Sequence, residues 1–147
     1  VLLRKDHPIY LKLRSQFMDQ IESLNRRFDL ALYTDPEMCI PHIKVCRYEG
    51  AEAVEEQGFI SWHSDSGPTD FSSQRKLSAS ILLNDPSEYE GGDLAIFSTI
   101  SLYPFLENPA KAGDGVLFAS HMQHVVKRMQ RGTRYVCIVW FHGPRMR

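Results

Sequence analysis

The sequence lacks the features that mark three specialised classes of protein. Its three cysteines are too few, and odd in number, for a disulfide framework, so a reducing cytoplasm is the expected location. Its longest uncharged apolar stretch, Tyr135–Phe141, is far too short to cross a bilayer, so no membrane partner is expected. We also expect no secretory signal, because no basic segment leads into an apolar stretch after Val1.

Charge of one sign is also missing. The 17 lysines and arginines nearly balance the 18 aspartates and glutamates, which leaves a net charge of −1. Proteins that bind nucleic acid through its phosphates carry an excess of basic residues, so a nucleic-acid partner is not expected. The length of 147 residues and the hydrophobic share of 43% are those of one ordinary globular domain, which we predict to span residues 1–147.

The N-terminal part of the sequence has the periodicity of an amphipathic helix. Apolar residues recur at spacings of three and four, at Leu13, Phe17, Ile21, Leu24 and Phe28. Pro8 suits the first turn of this helix, and Asp35-Pro36 closes the helical lead-in, residues 1–36. The apolar stripe predicts a structural face that packs on a core.

From residue 43 onward the sequence predicts short strands separated by turns. The predicted strands are Ile43–Tyr48, Gly58–His63, Leu77–Leu83, Asp93–Phe97, Ser101–Phe105, Val116–Ala119, Gln123–Met129 and Thr133–Phe141. In the third of these, apolar residues alternate with Ser78 and Ser80, which predicts one buried face. Turns are predicted at Glu90-Gly91-Gly92 and at Gln130–Gly132.

This succession of strands behind a helix favours a mainly β (α+β) fold. We predict a double-stranded β-helix, or jelly roll, over about residues 40–142, with the N-terminal helix packed on it. Two connections are long enough to form lids over a site, Glu49–Gln57 and Ser64–Lys76.

Two histidines and a carboxylate form the pattern with the most chemical content. His63 and Asp65 lie two residues apart at the end of a predicted strand, so both side chains can ligate one ion. A histidine from a later strand would complete the set, and we prefer His124 to His121, which falls on the opposite strand face. Two histidines and one carboxylate form the facial triad of non-haem Fe(II) oxygenases, which leaves coordination positions open. The remaining histidines are predicted to be surface or hydrogen-bonded residues: His7, His42 and His142.

Arg134 opens the last predicted strand. If Gln130–Gly132 is a three-residue hairpin loop, Arg134 and His124 share one face of the sheet, about 13 Å apart at ~3.3 Å per residue. A metal at one end and a guanidinium at the other would suit a five-carbon dicarboxylate. A two-residue loop would put Arg134 on the opposite face, so this interpretation depends on the turn.

With these residues in view, the sequence resembles the Fe(II)/2-oxoglutarate-dependent dioxygenases. It is most similar to the prolyl 4-hydroxylase-like branch, which includes the bacterial PKHD-type hydroxylases. The resemblance runs from about residue 43 to residue 142. Its elements are His63-Ser64-Asp65, Arg75–Asn84, Glu88–Leu94, and the spacing of His124, Gly132 and Arg134.

The resemblance implies that His63, Asp65 and His124 are the catalytic iron ligands. It also implies that Arg134 pairs with the distal carboxylate of 2-oxoglutarate, with Tyr48 and Trp140 in the same cosubstrate pocket. The implied reaction is hydroxylation of a C–H bond on a peptidyl or free amino-acid substrate. It consumes 2-oxoglutarate and O₂ and releases succinate and CO₂, and ascorbate (vitamin C) is an optional reductant.

The chain departs from the resemblance at two places. Ile81 and Leu82 occupy a strand where some relatives have a tyrosine, so fewer hydrogen bonds to the cosubstrate are expected. Arg128 stands where several relatives have a proline, and it is either a substrate contact or a solvated strand end. Tyr48 has a second interpretation, as an aromatic residue of the sheet that caps the core.

Three other functions stay open. An AlkB-type nucleic-acid demethylase uses the same metal chemistry, but that group has an arginine where this chain has Trp140. A catalytically inactive jelly-roll binding module would keep the barrel without turnover. A zinc hydrolase could use the same three ligands, although Arg134 would then have no role. The expected partner is a peptide or small-molecule substrate, and the sequence does not predict an oligomeric state.

Overall fold

The computed structural model describes residues 1–34, 42–97, 105–107 and 109–145. Within these ranges the chain forms one α-helix, α1 (Pro8–Phe28), three short 3-10 segments and nine strands. The strands are β1 (His42–Glu49), β2 (Ile60–His63), β3 (Arg75–Leu82), β4 (Tyr89–Gly91), β5 (Leu94–Ile96), β6 (Phe105–Glu107), β7 (Gly115–Ala119), β8 (His124–Val126) and β9 (Met129–His142). The 3-10 segments are Val54–Glu56, Ser72–Gln74 and Pro86–Glu88.

The strands form two antiparallel sheets. The larger has the order β1-β9-β3-β7, with β4 also paired to β9, and the smaller has the order β2-β8-β5-β6. The chain passes repeatedly from one sheet to the other, which is the winding of a jelly roll, so the predicted fold class is confirmed. The predicted strand over 101–105 lies partly outside the described residues. Asp35-Pro36 and Cys39 lie wholly outside them.

Helix α1 packs on the outer face of the larger sheet, as its apolar stripe predicts. It begins at Pro8, after His7, whose Nδ1 accepts a hydrogen bond from the backbone N–H of Ile9 at 3.2 Å. Ile21 is 2% exposed, and the rings of Phe17 and Phe141 meet edge to face with centroids 6.0 Å apart. In the described part of the chain no helix has the length of apolar sequence needed to span a membrane.

Strand β3 is buried on both faces, although its sequence predicts one buried face. Leu77, Ala79 and Ile81 pack in the cluster beneath α1. Ser78 and Ser80 point the other way and are also buried, at 0% and 6% exposure. The alternation is therefore correct, but the polar side of the strand lies in the interior between the sheets rather than in solvent.

The predicted hairpin at Gln130–Gly132 is wrong. Strand β9 runs without a break through these residues, and β8 belongs to the other sheet, so the chain changes sheets between them. Gly132 has a φ of 72°, and a Cβ there would lie 2.2 Å from the carbonyl oxygen of Glu88. The glycine is needed because the segment before β4 approaches β9 closely, not because the chain turns back.

The turn predicted at Glu90-Gly91-Gly92 is only partly correct. Tyr89–Gly91 forms strand β4, which pairs with the start of β9. Strand β4 has only three residues, too few to show the alternation of apolar and polar residues that marks a strand. Its sequence therefore cannot be distinguished from that of a turn.

Candidate metal centre and its cavity

A cavity of about 320 Å³ lies between the two sheets. Alternate residues of β1 and β9 form one wall, because successive side chains of a strand point to opposite faces. These wall residues are Lys44, Cys46 and Tyr48 from β1, and Arg134, Val136, Ile138 and Trp140 from β9. Residues from the smaller sheet and its connections, including His63, Asp65 and His124, face them across the cavity.

The three residues predicted as metal ligands come together at this cavity. His63 ends β2 and lies opposite His124, which begins β8, while Asp65 follows β2 directly. The Nε2 atoms of His63 and His124 lie 3.7 Å and 3.6 Å from the two carboxylate oxygens of Asp65. One potential ligand atom from each residue lies within 4.8 Å of the other two, so a single ion can contact all three. His121 lies outside this group, exposed in the turn before β8.

Backbone carbonyls orient both imidazole rings. The Nδ1 of His63 donates to the Ser61 carbonyl at 2.8 Å, and the Nδ1 of His124 donates to the Met122 carbonyl at 3.0 Å. Because a carbonyl oxygen only accepts, Nδ1 carries the hydrogen in each ring, and Nε2 keeps a lone pair directed at the ligand cluster. Burial, the largest cause, lowers the pKa of His124 below its ordinary value, which favours the neutral form that ligates metals.

A serine network holds Asp65. Ser78 Oγ donates to Asp65 Oδ2 at 2.7 Å and lies 2.8 Å from Ser120 Oγ, and both serines are fully buried. The Ser120 carbonyl in turn accepts from the Ser66 N–H at 2.9 Å, which fixes the loop that carries Asp65. Sequence reasoning missed this network.

Arg134 is a buried cation that faces the cavity without an anion. It is 3% exposed, and Nη1 has no hydrogen-bond partner among the described residues. Tyr48 lies opposite it in β1, with its ring centroid 5.8 Å from the Arg134 Cζ. Gly92 makes room for the side chain, since a Cβ there would lie 3.2 Å from Arg134 Cδ. A buried unpaired guanidinium is costly, so this end of the cavity fits a carboxylate ligand.

Arg134 therefore shares a cavity with His124 for a reason other than the predicted hairpin. The two residues lie on different sheets and face each other across the interior. Tyr48 and Trp140 also line the cavity where the sequence placed them. Burial, followed by the contact with Cys46, raises the pKa of the Tyr48 hydroxyl above its ordinary value, so the phenol stays protonated.

A second set of polar side chains lies near Trp140. The Arg75 guanidinium stacks over the Trp140 ring, with Cζ 4.1 Å from the ring centroid, and Nη1 donates to the Asp65 carbonyl at 3.1 Å. His142 faces His42 at 5.3 Å between ring centroids. His142 is 6% exposed, and within the described part of the chain its Nε2 has no hydrogen-bond partner, so the prediction of a surface or hydrogen-bonded histidine is not met at this atom.

Arg128 holds the connection between β1 and β2. Its Nη1 donates to the Val54 carbonyl at 2.6 Å, and its Cζ lies 4.0 Å from the centroid of the Phe59 ring. Of the two roles that the sequence left open for Arg128, the described contacts support neither directly. They show a residue that fixes the loop predicted to be a lid.

Comparison with known proteins agrees with this geometry. The model of the 2OG-Fe(II) oxygenase superfamily matches residues 43–142. A PKHD-type hydroxylase from Acinetobacter baumannii is 42% identical over 64 residues, which are 44% of this chain and 27% of that protein. The PKHD-type hydroxylase PiuC from Pseudomonas aeruginosa is 27% identical over 143 residues, 94% of this chain and 58% of that protein.

A solved structure supports the same likeness. The crystal structure of a prolyl-4-hydroxylase from Pseudomonas putida superposes with a TM-score of 0.66 and 25% sequence identity. The match covers 86% of this chain and 63% of that one. The chain thus spans less than two thirds of each of these three proteins.

Proposed function

Because the chain belongs to the 2OG-Fe(II) oxygenase superfamily, we propose that it hydroxylates a C–H bond with Fe(II), 2-oxoglutarate and O₂. The activity is prolyl hydroxylase-like, and the substrate is a peptidyl or free amino acid. One observation carries the proposal: a cluster of two histidines and a carboxylate shares its cavity with a buried arginine, Arg134, whose Nη1 has no partner among the residues that the structure describes. Of the alternatives, a zinc hydrolase leaves Arg134 without a role, and the arginine typical of AlkB-type demethylases is here Trp140.

His63, Asp65 and His124 hold the iron. Each histidine presents Nε2, since its Nδ1 is engaged by a backbone carbonyl, and Ser78 fixes one oxygen of Asp65. Two histidines and one carboxylate would leave part of the coordination sphere of the ion open for the cosubstrates. When bound, the iron and its cosubstrates supply the oxidant for C–H hydroxylation, and 2-oxoglutarate leaves as succinate and CO₂.

Arg134 orients 2-oxoglutarate. Its planar guanidinium meets the distal carboxylate in parallel hydrogen bonds, and the Tyr48 hydroxyl, kept protonated by burial, can donate to the same ligand. Val136 and Ile138 flank the carbon chain with apolar surface, which excludes water from the reacting groups. Leu82, buried where some relatives have a tyrosine, adds no hydrogen bond.

The substrate approaches from the side of His63. Its side chain is 34% exposed, whereas that of His124 is 6% exposed, so the open side of the metal cluster faces the loop after β2. The connection that Arg128 fixes, between β1 and β2, leads directly into Ile60, the first residue of β2, which lines the cavity. Substrate selection is therefore assigned to these two connections.

Anaerobic addition of Fe(II) and 2-oxoglutarate tests this function. We expect a weak visible charge-transfer band that needs both components. In Arg134→Gln the 2-oxoglutarate concentration required should rise about tenfold or more, because a charge-assisted pair is lost. Arg131→Gln is the matched control, an exposed arginine of the same strand that does not line the cavity, and should leave the titration unchanged. A wild-type protein that gives no band, or that binds only zinc, contradicts the proposal.

A further inference from the structure

One nucleophile in the cavity has no part in the proposed function. Cys46 lies in the middle of β1, and its thiol lines the cavity on the same face as Lys44 and Tyr48. It is a free, half-buried cysteine, and its partner across the strands is Val136. The thiol is therefore open to any small molecule that enters the cavity.

The surroundings of Cys46 favour an anionic small molecule. Tyr48 lies two residues from Cys46 on the same face of β1, and its ring centroid lies 5.8 Å from the Arg134 Cζ. Arg134 is buried with an unpartnered Nη1, which is an observation independent of the cysteine and itself calls for a carboxylate. Arg134 pairs with Tyr48 and Cys46 pairs with Val136, so Arg134 and Cys46 are diagonal neighbours on one face, about 7–8 Å apart, which is close to the length of a short dicarboxylate.

We propose that Cys46 is a covalent modification site for α,β-unsaturated dicarboxylates, which Arg134 holds by one carboxylate beside the thiol. The proposal rests on the assignment of Arg134 to a carboxylate in the proposed function, but it does not require turnover. The product fills the space next to Arg134 and blocks entry of 2-oxoglutarate. Cys46 is then the point at which such compounds inactivate the protein.

The reaction is a conjugate addition that balances without an oxidant. The thiol loses its proton to solvent, and the sulfur lone pair forms a C–S bond as the C=C π bond breaks. The neighbouring carbon then takes a proton from water. The product is a thioether that keeps both carboxylates, heavier than the free protein by one molecule of the dicarboxylate.

Cys137 provides an internal comparison. It lies on β9, next to the partner of Cys46, but on the opposite face of the sheet. It is 4% exposed and packs in the apolar cluster beneath α1. Two cysteines of neighbouring strands thus differ in the one property that the proposal needs, access to the cavity.

The test measures labelling rates at each cysteine by peptide-mapped mass spectrometry. Native protein, loaded anaerobically with Fe(II), is treated with fumarate or with its neutral diamide, fumaramide. We expect fumarate to label Cys46, 2-oxoglutarate to slow that labelling, and Cys137 to react only after unfolding. The ratio of the fumarate rate to the fumaramide rate should fall about tenfold or more in Arg134→Gln and stay unchanged in Arg131→Gln, which changes an exposed arginine of the same strand.

Two results would overturn the proposal. One is the same rate ratio in Arg134→Gln and in the wild type. The other is fumarate labelling of the wild type that 2-oxoglutarate does not slow, an outcome that needs no variant to fold. The charge-transfer band, recorded on the same samples, separates the two proposals. A band without selective labelling rejects only the Cys46 site, and selective labelling without a band rejects only the oxygenase function.

Discussion

The two faces of the larger sheet are formed by the same strands but carry different kinds of side chain. On the outer face Ile43 and Val139 are fully buried, and with Ile21 of α1 they belong to a cluster of apolar side chains. On the inner face Arg134 and Trp140 carry buried nitrogen atoms without hydrogen-bond partners. The outer face is packed with apolar side chains, whereas the inner face contains buried polar nitrogen atoms that no other described residue satisfies.

This difference separates stability from function within one sheet. Burial of apolar surface stabilises the fold, while buried polar atoms without partners reduce its stability. The β alternation lets one strand carry both kinds of residue, so a substitution on one face should leave the other face nearly unaffected. The predictions that follow test this independence.

The largest effect is expected from the ligand cluster on the inner side. His63→Ala or His124→Ala removes a ligand, and iron-dependent turnover of 2-oxoglutarate should be abolished. His121→Ala, which changes an exposed histidine outside the cluster, should keep most of the turnover. Iron binding and succinate release measured on the three variants check this. Equal losses in all three would contradict the ligand assignment.

A substitution on the outer side should lower stability and spare the site. Ile21→Ala removes a side chain that is 2% exposed beneath the sheet, and the free energy of unfolding should fall by about 2–5 kcal/mol. Ile9→Ala on the same helix, where the residue is 56% exposed, should change it by less than about 0.5 kcal/mol. Denaturant titration gives these values. The comparison fails if Ile21→Ala also weakens formation of the charge-transfer band at a temperature where the variant is folded.

Loss of a hydrogen bond to one of the metal ligands should have an intermediate effect. Ser78→Ala removes the hydrogen bond to Asp65 Oδ2, and iron affinity should fall by about 10–100-fold. Ser80→Ala is the matched control, because Ser80 lies on the same face of β3 and lines the cavity but makes no hydrogen bond to Asp65 among the described residues. Competition with a metal chelator measures the affinities. Similar losses in both variants would assign the effect to packing rather than to orientation of Asp65.

Local patterns in the sequence predicted most of the fold. The apolar spacing from Leu13 to Leu24 predicted α1, and the β-branched runs predicted the positions of most strands in the described residues. Pairing between distant strands could not be predicted in the same way. The hairpin expected after β8 was wrong because Gly132 has the residue type of a turn, whereas its conformation serves a close contact with Glu88.

The candidate site was predicted in its residues but not in its arrangement. His63 and Asp65 are two residues apart, so their proximity follows from local geometry, whereas the approach of His124 needs the pairing of β2 with β8. Ser78 was missed because a serine in a strand looks the same in sequence whether it faces solvent or a carboxylate. Its role depends on Asp65, which lies on a separate connection.

The smallest effect is expected from pH acting on the inner face. Burial, followed by the neighbouring charges of His42 and Arg75, lowers the pKa of His142 to about 4. Because the unfolded chain binds this proton near the ordinary histidine pKa while the folded chain does not, stability falls as pH drops below about 6.5. Between pH 6.5 and 5.5 this one residue should account for about 1 kcal/mol of the loss.

His142→Gln isolates that contribution, since glutamine does not titrate. The free energy of unfolding, measured by urea titration at pH 6.5 and 5.5, should therefore fall less in the variant than in the wild type. The direction follows from burial, since His142 is 6% exposed and packs against the rings of His42 and Phe71, which disfavours a charged imidazole. An equal fall in both proteins would show that His142 takes up its proton as readily in the folded chain as in the unfolded one. The inner face would then be more accessible to water than its burial indicates.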